Sequence, residues 1–230
     1  MKKISVIIPA YNEEKNVALC LASLIPQARK MKAEIILVND GSKDHTVNIA
    51  KLFSKYVKVV NLKKNSGVAN ARNMGTKIAK NDILAFIDAD CVARSNWLET
   101  IQKSIDGKIG VTGPIKSLFY ERLVDHTTFE TYTNLARIAV HIKPFVVGSN
   151  FACKKKYFMK VGGFKNLKSL EDFDLGFRLA EHGKIGFSDK MIVYSSVRRL
   201  KASKLENLNY IINYLRLITK KPTKKLKNIR

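Results

Sequence analysis

A chain of 230 residues that is 46% hydrophobic and 9% aromatic can fill one sizeable core, which excludes the disordered, low-hydrophobicity class. Its formal charge of +23 attracts anionic surfaces, whether nucleic acid, acidic lipid or phosphorylated ligands, without choosing among them. No apolar run reaches the ~18 residues that span a bilayer and no signal peptide precedes the first strand, so the expected location is the cytoplasm or the cytoplasmic face of a membrane.

In chain order, short β-branched runs alternate with helical patterns, which predicts an α/β fold with a mostly parallel sheet covered by helices. A strand over Ile4 to Pro9 leads through Tyr11-Asn12-Glu13 into a helix over Glu14 to Lys30. A second strand, Glu34 to Asn39, ends in Asp40-Gly41-Ser42 before a helix from Asp44 to Phe53. The third, Val57 to Asn61, is followed by Asn65-Ser66-Gly67 and a helix to Lys80. The fourth, Ile83 to Asp88, closes on Asp88-Ala89-Asp90 ahead of a helix over Asn96 to Ser104, and a fifth covers Gly110 to Ile115. Ligands of such sheets sit beyond the carboxyl ends of the strands, where all four polar clusters fall. Singly, each has a structural explanation, such as turn chemistry at Asp40-Gly41 or a helix cap at Asn65 or Ser66.

Asp88 and Asp90 carry the strongest chemical suggestion. In an extended strand, residues two apart point the same way, so both carboxylates can face one pocket. Hard carboxylate oxygens favour Mg²⁺ or Mn²⁺, which keep part of their shell for water and phosphates. The alternative is a solvated turn that caps the next helix. The chain lacks both a G-x-x-x-x-G-K-[ST] loop and a G-x-G-x-x-G after its first strand, so phosphate is left to metal and side chains. Cys20, Cys91 and Cys153 lack paired spacing and read as reduced, packed thiols. His45, His126, His141 and His182 never fall at helical metal spacing and stay unassigned.

The second half is read more sparsely. Apolar residues from Leu118 to Ile142 form a stripe that reads as a core helix. Glu171-Asp172 opens a helical pattern running to His182 with Gly183 as its stop, and acids in a first helical turn are stabilised by the helix dipole alone. Leu205, Leu208, Ile211, Ile212, Leu215 and Ile218 recur at helical spacing before Lys220, Lys221, Lys224, Lys225, Lys227 and Arg230. Such a helix either packs on the domain or lies on anionic lipid.

The order Val6-Ile7-Ile8-Pro9-Ala10-Tyr11-Asn12-Glu13, Asn39-Asp40-Gly41-Ser42 with Asp44, Asn65, Gly67, Ala71-Arg72-Asn73, Gly75, Asp88-Ala89-Asp90, Gly148-Ser149-Asn150, Val161-Gly162-Gly163-Phe164 and Glu171-Asp172 resembles the family 2 glycosyltransferases. The resemblance implies a nucleotide-diphospho-sugar transferase (GT-A) fold over residues 1–200, with a nucleotide-binding half at 1–115 and an acceptor half at 116–200. Residues 201–230 are expected, from their spacing, to form an appended amphipathic helix and basic tail. It implies that Pro9, Tyr11 and Glu13 line the base and ribose site, that Asp40 accepts a hydrogen bond from the base, and that Arg72 lies near the nucleotide. Asp88 would contact the ribose or the metal's water shell, Asp90 would ligate Mn²⁺ or Mg²⁺, and Asp172 would be the general base of an inverting transfer. The implied partners are a UDP- or GDP-sugar donor and a glycan or lipid-linked acceptor. An anionic membrane surface would suit the tail. Some relatives acting on polyprenyl phosphate carry a further polar ligand two residues past the second aspartate, where this chain has Val92.

Two other classes compete. A haloacid-dehalogenase-type phosphatase also begins D-x-D after an apolar strand, with the first aspartate as nucleophile. That motif normally opens its domain, whereas three predicted strands precede Asp88. A nucleic-acid-binding module suits the charge, yet it leaves the acidic clusters unexplained and lacks interleaved aromatic and basic residues.

Overall fold

The computed structural model describes residues 2–118, 146–167 and 170–196, together with residues 130, 133, 134, 137 and 138. Most of the 118–142 stripe, His126, His141 and everything from residue 197 onward, including the predicted amphipathic helix and basic tail, lie outside the described residues.

The first half folds by strict alternation: β1 (Ile4–Ala10), α1 (Val17–Met31), β2 (Glu34–Asn39), α2 (Thr46–Lys51), β3 (Val57–Asn61), α3 (Val68–Ile78) and β4 (Ile83–Phe86). β5 (Cys91–Ala93), α4 (Trp97–Ser104), β6 (Gly110–Thr112), β7 (Ile115–Ser117) and β8 (Phe151–Lys154) follow. The described chain closes with α5 (Lys155–Lys160), α6 (Glu171–Ala180), β9 (Ile185–Phe187) and β10 (Val193–Ser195).

β1 is buried along its whole length, as a strand covered on both faces must be. Ile4, Val6 and Ile8 join Cys20, Leu21 and Leu24 of α1 and Trp97 of α4 in one core layer. Ile7 points to the other, with Ile36, Val38, Phe86, Phe158 and Leu175. Helices therefore cover both faces, giving three layers with the sheet between them.

The large sheet runs β3-β2-β1-β4-β8-β6-β9. The four leading strands are parallel, which brings the loops after them to one edge. β8 then runs antiparallel to both β4 and β6. A small sheet, β5-β10-β7, lies beyond.

Two expectations are corrected. The predicted fifth strand, Gly110 to Ile115, is two strands in different sheets, because Gly113-Pro114 interrupts it and β7 pairs with β10 instead. The fourth strand stops at Phe86, and the Cys91 N–H donates to the Asp88 carbonyl at 3.1 Å, so the two aspartates occupy a turn. Strand alternation is not what brings them together.

Candidate active site

The loops after β1 and β2 are knitted by five hydrogen bonds. Asn12 N–H donates to Ser42 Oγ (3.0 Å), Lys43 N–H to Asn12 Oδ1 (2.9 Å) and Glu13 N–H to Thr46 Oγ1 (2.7 Å). Glu14 N–H donates to Asp44 Oδ2 and His45 N–H to Glu14 Oε2, both at 3.1 Å. Burial opposes ionisation of Asp44, but hydrogen bonds from Thr46 and the Glu14 N–H outweigh it and lower the carboxyl below its usual range. This zipper fixes Pro9 at the end of β1, leaves Tyr11 exposed at 42%, and buries Glu13, whose Oε2 accepts from Asn16 Nδ2 at 2.7 Å.

Asp40 organises the next loop. Its Oδ1 accepts from the N–H and hydroxyl of Ser66, both at 2.8 Å, and its Oδ2 from Gly67 N–H at 2.9 Å. A carboxylate has about four acceptor positions, so Oδ2 keeps one for a further donor. Gly41 beside it has φ +74°, and a Cβ there would lie 2.7 Å from the Asn65 nitrogen. Both the backbone region and the contact with the Lys64–Asn65 peptide require glycine.

Asp88 and Asp90 are buried, at 7% and 4% exposure. The thiols of Cys20 and Cys91 pack against the turn, the first donating to the Asp88 carbonyl and the second to Asp90 Oδ1, each at 3.6 Å. Burial first, then the charges of Asp90 and Asp88, push both thiols well above their ordinary range. With Cys153, all three cysteines are buried and free of disulfides.

Arg72 on α3 is the centre of the cluster. It is 3% exposed, with Nη2 2.8 Å from Asp88 Oδ1 and Nη1 3.0 Å from Glu171 Oε1. One face lies over the Phe164 ring, 5.1 Å from its centroid, and Gly148 abuts the guanidinium, where a Cβ would stand 2.9 Å from Nη1. Burial works against its charge, and the carboxylates of Asp88 and Glu171 outweigh burial, so the guanidinium is held above its usual range.

Asp172, next along α6, accepts from Gly148 N–H at 3.1 Å and from Phe173 N–H at 3.0 Å. Burial, and then the charge of Glu171, push its carboxyl up to about 7 against those two N–H groups and Arg72. Leu170, buried and turned into the left-handed region at φ 64°, delivers the chain into α6 so that Glu171 and Asp172 open the helix. Gly148 is held in place by Asn150, whose Oδ1 accepts from Trp97 Nε1 (2.9 Å) and whose Nδ2 donates to Pro114 O (2.9 Å) and Met191 O (2.7 Å).

Through Arg72 the structure thus joins Asp88 to Glu171, the neighbour of Asp172, while Pro9 at the end of β1 and Tyr11, Glu13 and Asp40 in the loops beyond lie at the same sheet edge. Glu171 and Gly148 have roles that the sequence left unassigned. Their only signal was adjacency to Asp172 and a place in the Gly148-Ser149-Asn150 segment of the family resemblance. Among the described residues no three His, Cys, Asp or Glu side chains form a metal-binding group. Two buried carboxylates nevertheless fit a hard cation that completes its shell with phosphate and water.

Three comparisons place the chain among known proteins. The family model described as Glycosyl transferase family 2 matches residues 5–162. Glycosyltransferase AglE of Haloferax volcanii is 38% identical over 108 residues, covering 45% of this chain and 36% of that protein, so the chain spans about a third of that relative's length. Among solved structures, Staphylococcus aureus TarS 1–349 in complex with UDP-GlcNAc superposes with a TM-score of 0.68 at 23% identity, over 84% of this chain and 58% of that one. The mannosyltransferase PcManGT of Pyrobaculum calidifontis, in complex with GDP-Man and Mn²⁺, gives 0.69 at 21% identity, over 85% and 57%. These likenesses show the shared GT-A fold.

Proposed function

The chain belongs to glycosyl transferase family 2, and from that premise we propose that it transfers a sugar from a nucleoside-diphosphate donor to a hydroxyl acceptor with inversion at the anomeric carbon. The carrying observation is the bridge from Asp88 through buried Arg72 to Glu171, which puts a candidate cation seat and a candidate base in one cluster. Asp88 and Asp90 are the residues to hold Mg²⁺ or Mn²⁺. Bound there, the ion would supply neutralisation of the diphosphate leaving group. TarS, solved in complex with UDP-GlcNAc, and PcManGT, solved in complex with GDP-Man and Mn²⁺, support this donor class and cation.

On the donor side, Tyr11 offers an exposed ring and Glu13 a carboxylate at the end of β1, while Pro9 shapes the strand end. Asp40 keeps one acceptor position for an N–H of the base, and Arg72 serves the nucleotide by orienting Asp88. On the acceptor side, ionised Asp172 takes the hydroxyl proton as that oxygen bonds to the anomeric carbon. The bond from the anomeric carbon to the diphosphate oxygen breaks on the opposite face, which inverts the centre. A base whose carboxyl sits at about 7 is well matched to proton transfer near neutral pH.

The acceptor is a cell-envelope or lipid-linked glycan, and the tail would bring the enzyme to an acidic membrane surface. Polyprenyl phosphate is the second acceptor, disfavoured by Val92. The family match spans Asp88 and Asp90 and so leaves the phosphatase reading without ground. The test is transfer from UDP- and GDP-sugars with Mn²⁺. Asp172→Asn should keep donor binding and lose ~10²–10⁴-fold in rate, the usual share of a general base; full activity in that variant would overturn the assignment.

A further inference from the structure

We propose that the groove between α3 and α5 holds the chain of an anionic glycan acceptor, with the acceptor's charged groups on Lys63, Lys64 and Lys77. This names the acceptor class of the transfer proposed above and rests on that reading.

The groove, a cavity of about 580 Å³, lies between the loop after β3, the outer face of α3 and the end of α5. That volume suits a ligand far larger than a single phosphate group. Leu62, Met74, Phe158 and Met159 form an apolar floor, on which Met159 is 53% exposed. One wall is built by close contact. Asn73 Nδ2 donates to Phe164 O at 2.7 Å, and Asn73 Oδ1 accepts from Phe164 N–H at 3.0 Å. Gly163, at φ +69°, passes so near that a Cβ would stand 2.6 Å from Asn73 Oδ1.

Charge selects the occupant. From His45 to Asn81 the sequence holds eight Lys or Arg and no Asp or Glu, and no acid occurs between Lys154 and Leu170 either. Both stretches that line the groove therefore lack a carboxylate. Asp174, reached through Arg178 behind Gly163, is already paired with Arg178 and Lys165. Among the described residues, Lys63, Lys64 and Lys77 are exposed and their ammonium groups make no hydrogen bond or ion pair. Lys63 and Lys64 stand at one end, and the helix rises about 14 Å from Val68 to Lys77 at the other. A compact anion cannot reach both ends, whereas an extended chain with charges along it can. The floor argues for sugar over nucleobase. The C–H faces of a sugar ring pack on any apolar surface, but a base needs an open aromatic face. Phe158, the one ring among the described lining residues, is 2% exposed and stacks into the core on Phe86.

The groove also adjoins the candidate active site. Ser66 at its head donates to Asp40, and Phe164, next to Gly163, covers Arg72.

The experiment maps lysine acetylation residue by residue by mass spectrometry on the full chain, so that the groove is read separately from the basic tail. The probes are an oligogalacturonate, a phosphorylated oligomannose, a neutral dextran oligomer and an oligodeoxynucleotide of matched charge. Three exposed charge pairs, each contributing roughly twofold, predict that an anionic glycan slows acetylation of Lys63, Lys64 and Lys77 about tenfold. Dextran should leave those rates unchanged, and Lys116 and Lys190 should keep theirs with every probe. Met159→Glu, which sets an acid on the floor at an exposed position, should remove the protection. Should that variant fail to fold, Lys64→Ala decides, by loss of protection at Lys63 and Lys77. Protection by neither anionic glycan, equal protection of Lys116 and Lys190, equal protection by the oligodeoxynucleotide, or protection that survives the variant overturns the proposal. Groove protection in a protein that transfers no sugar from UDP- or GDP-sugars to any acceptor instead sinks the catalytic reading and with it the role as an acceptor site.

Discussion

At the scale of single residues, Asp172 makes the clearest pH prediction. A carboxyl lifted from 3.8 to about 7 favours the protonated form in the folded state, so its contribution to stability is fully present below pH 4 and is lost as pH rises through about 7. Catalysis runs the other way, since the ionised form is the base, and transfer should climb through about pH 7 to a plateau. Asp172→Asn should therefore lose less stability than wild type between pH 5 and pH 8, read as unfolding midpoints at the two values. An equal loss in both proteins would contradict the raised carboxyl. Gly148→Ala tests the neighbouring contact: a methyl placed 2.9 Å from Arg72 Nη1 must displace the guanidinium. Transfer should fall at least tenfold while circular dichroism stays that of the wild type. Asp88 and Asp90 were legible in the sequence as a carboxylate pair, but their turn was not, because two residues past an apolar strand can equally continue it or leave it. Glu171 was less legible still. Its partner Arg72 lies 99 residues away, and no local pattern encodes a contact across that separation.

At the scale of elements, the loops at the carboxyl ends of β1, β2 and β3 stand or fall together. Asp40 satisfies three donors of the Ser66-Gly67 segment, and losing them should cost about 2–3 kcal/mol. Asp40→Ala is expected to lower the unfolding midpoint and to abolish nucleotide binding, both measurable in one thermal-shift experiment with UDP and GDP. Asn150 plays the matching role between α4 and the end of the small sheet. Its truncation to Ala strands the Trp97 indole N–H and the carbonyls of Pro114 and Met191, at about 3 kcal/mol, seen as a shifted denaturant midpoint. β1 to β4 were readable because each is a buried β-branched run punctuated by polar turn residues, and their observed limits lie close to the expected ones. β8 was not, because Phe151–Lys154 is too short to show a period. Its insertion between β4 and β6 is decided by a match of apolar faces, with Phe86 and Phe151 stacked 6.1 Å apart, rather than by anything local. The Gly110 to Ile115 run failed as one strand for a local reason that the sequence did contain, the Gly113-Pro114 step.

For the whole molecule, charge is the property to explain. Of the +23 total, residues 198–230 hold 11 Lys/Arg and one acid, or 11 − 1 = +10, while the carboxylates of the candidate site, buried or half-buried, lie in the other part. Basic residues near an acidic bilayer contribute ~1 kcal/mol each, so removing residues 219–230, with six of them, should release the protein from acidic liposomes in a sedimentation assay. Retained binding after that deletion would assign the attraction to the domain surface. No helix among the described residues is long and apolar enough to cross a membrane.

The central claim, that Asp88 and Asp90 seat a divalent cation for the donor diphosphate while Asp172 serves only the acceptor, is tested most directly by titration calorimetry of UDP and GDP with and without Mn²⁺. Wild type and Asp172→Asn should show the same metal-dependent affinity, and Asp90→Ala should show none. Nucleotide binding by Asp90→Ala at wild-type, metal-dependent affinity would contradict it.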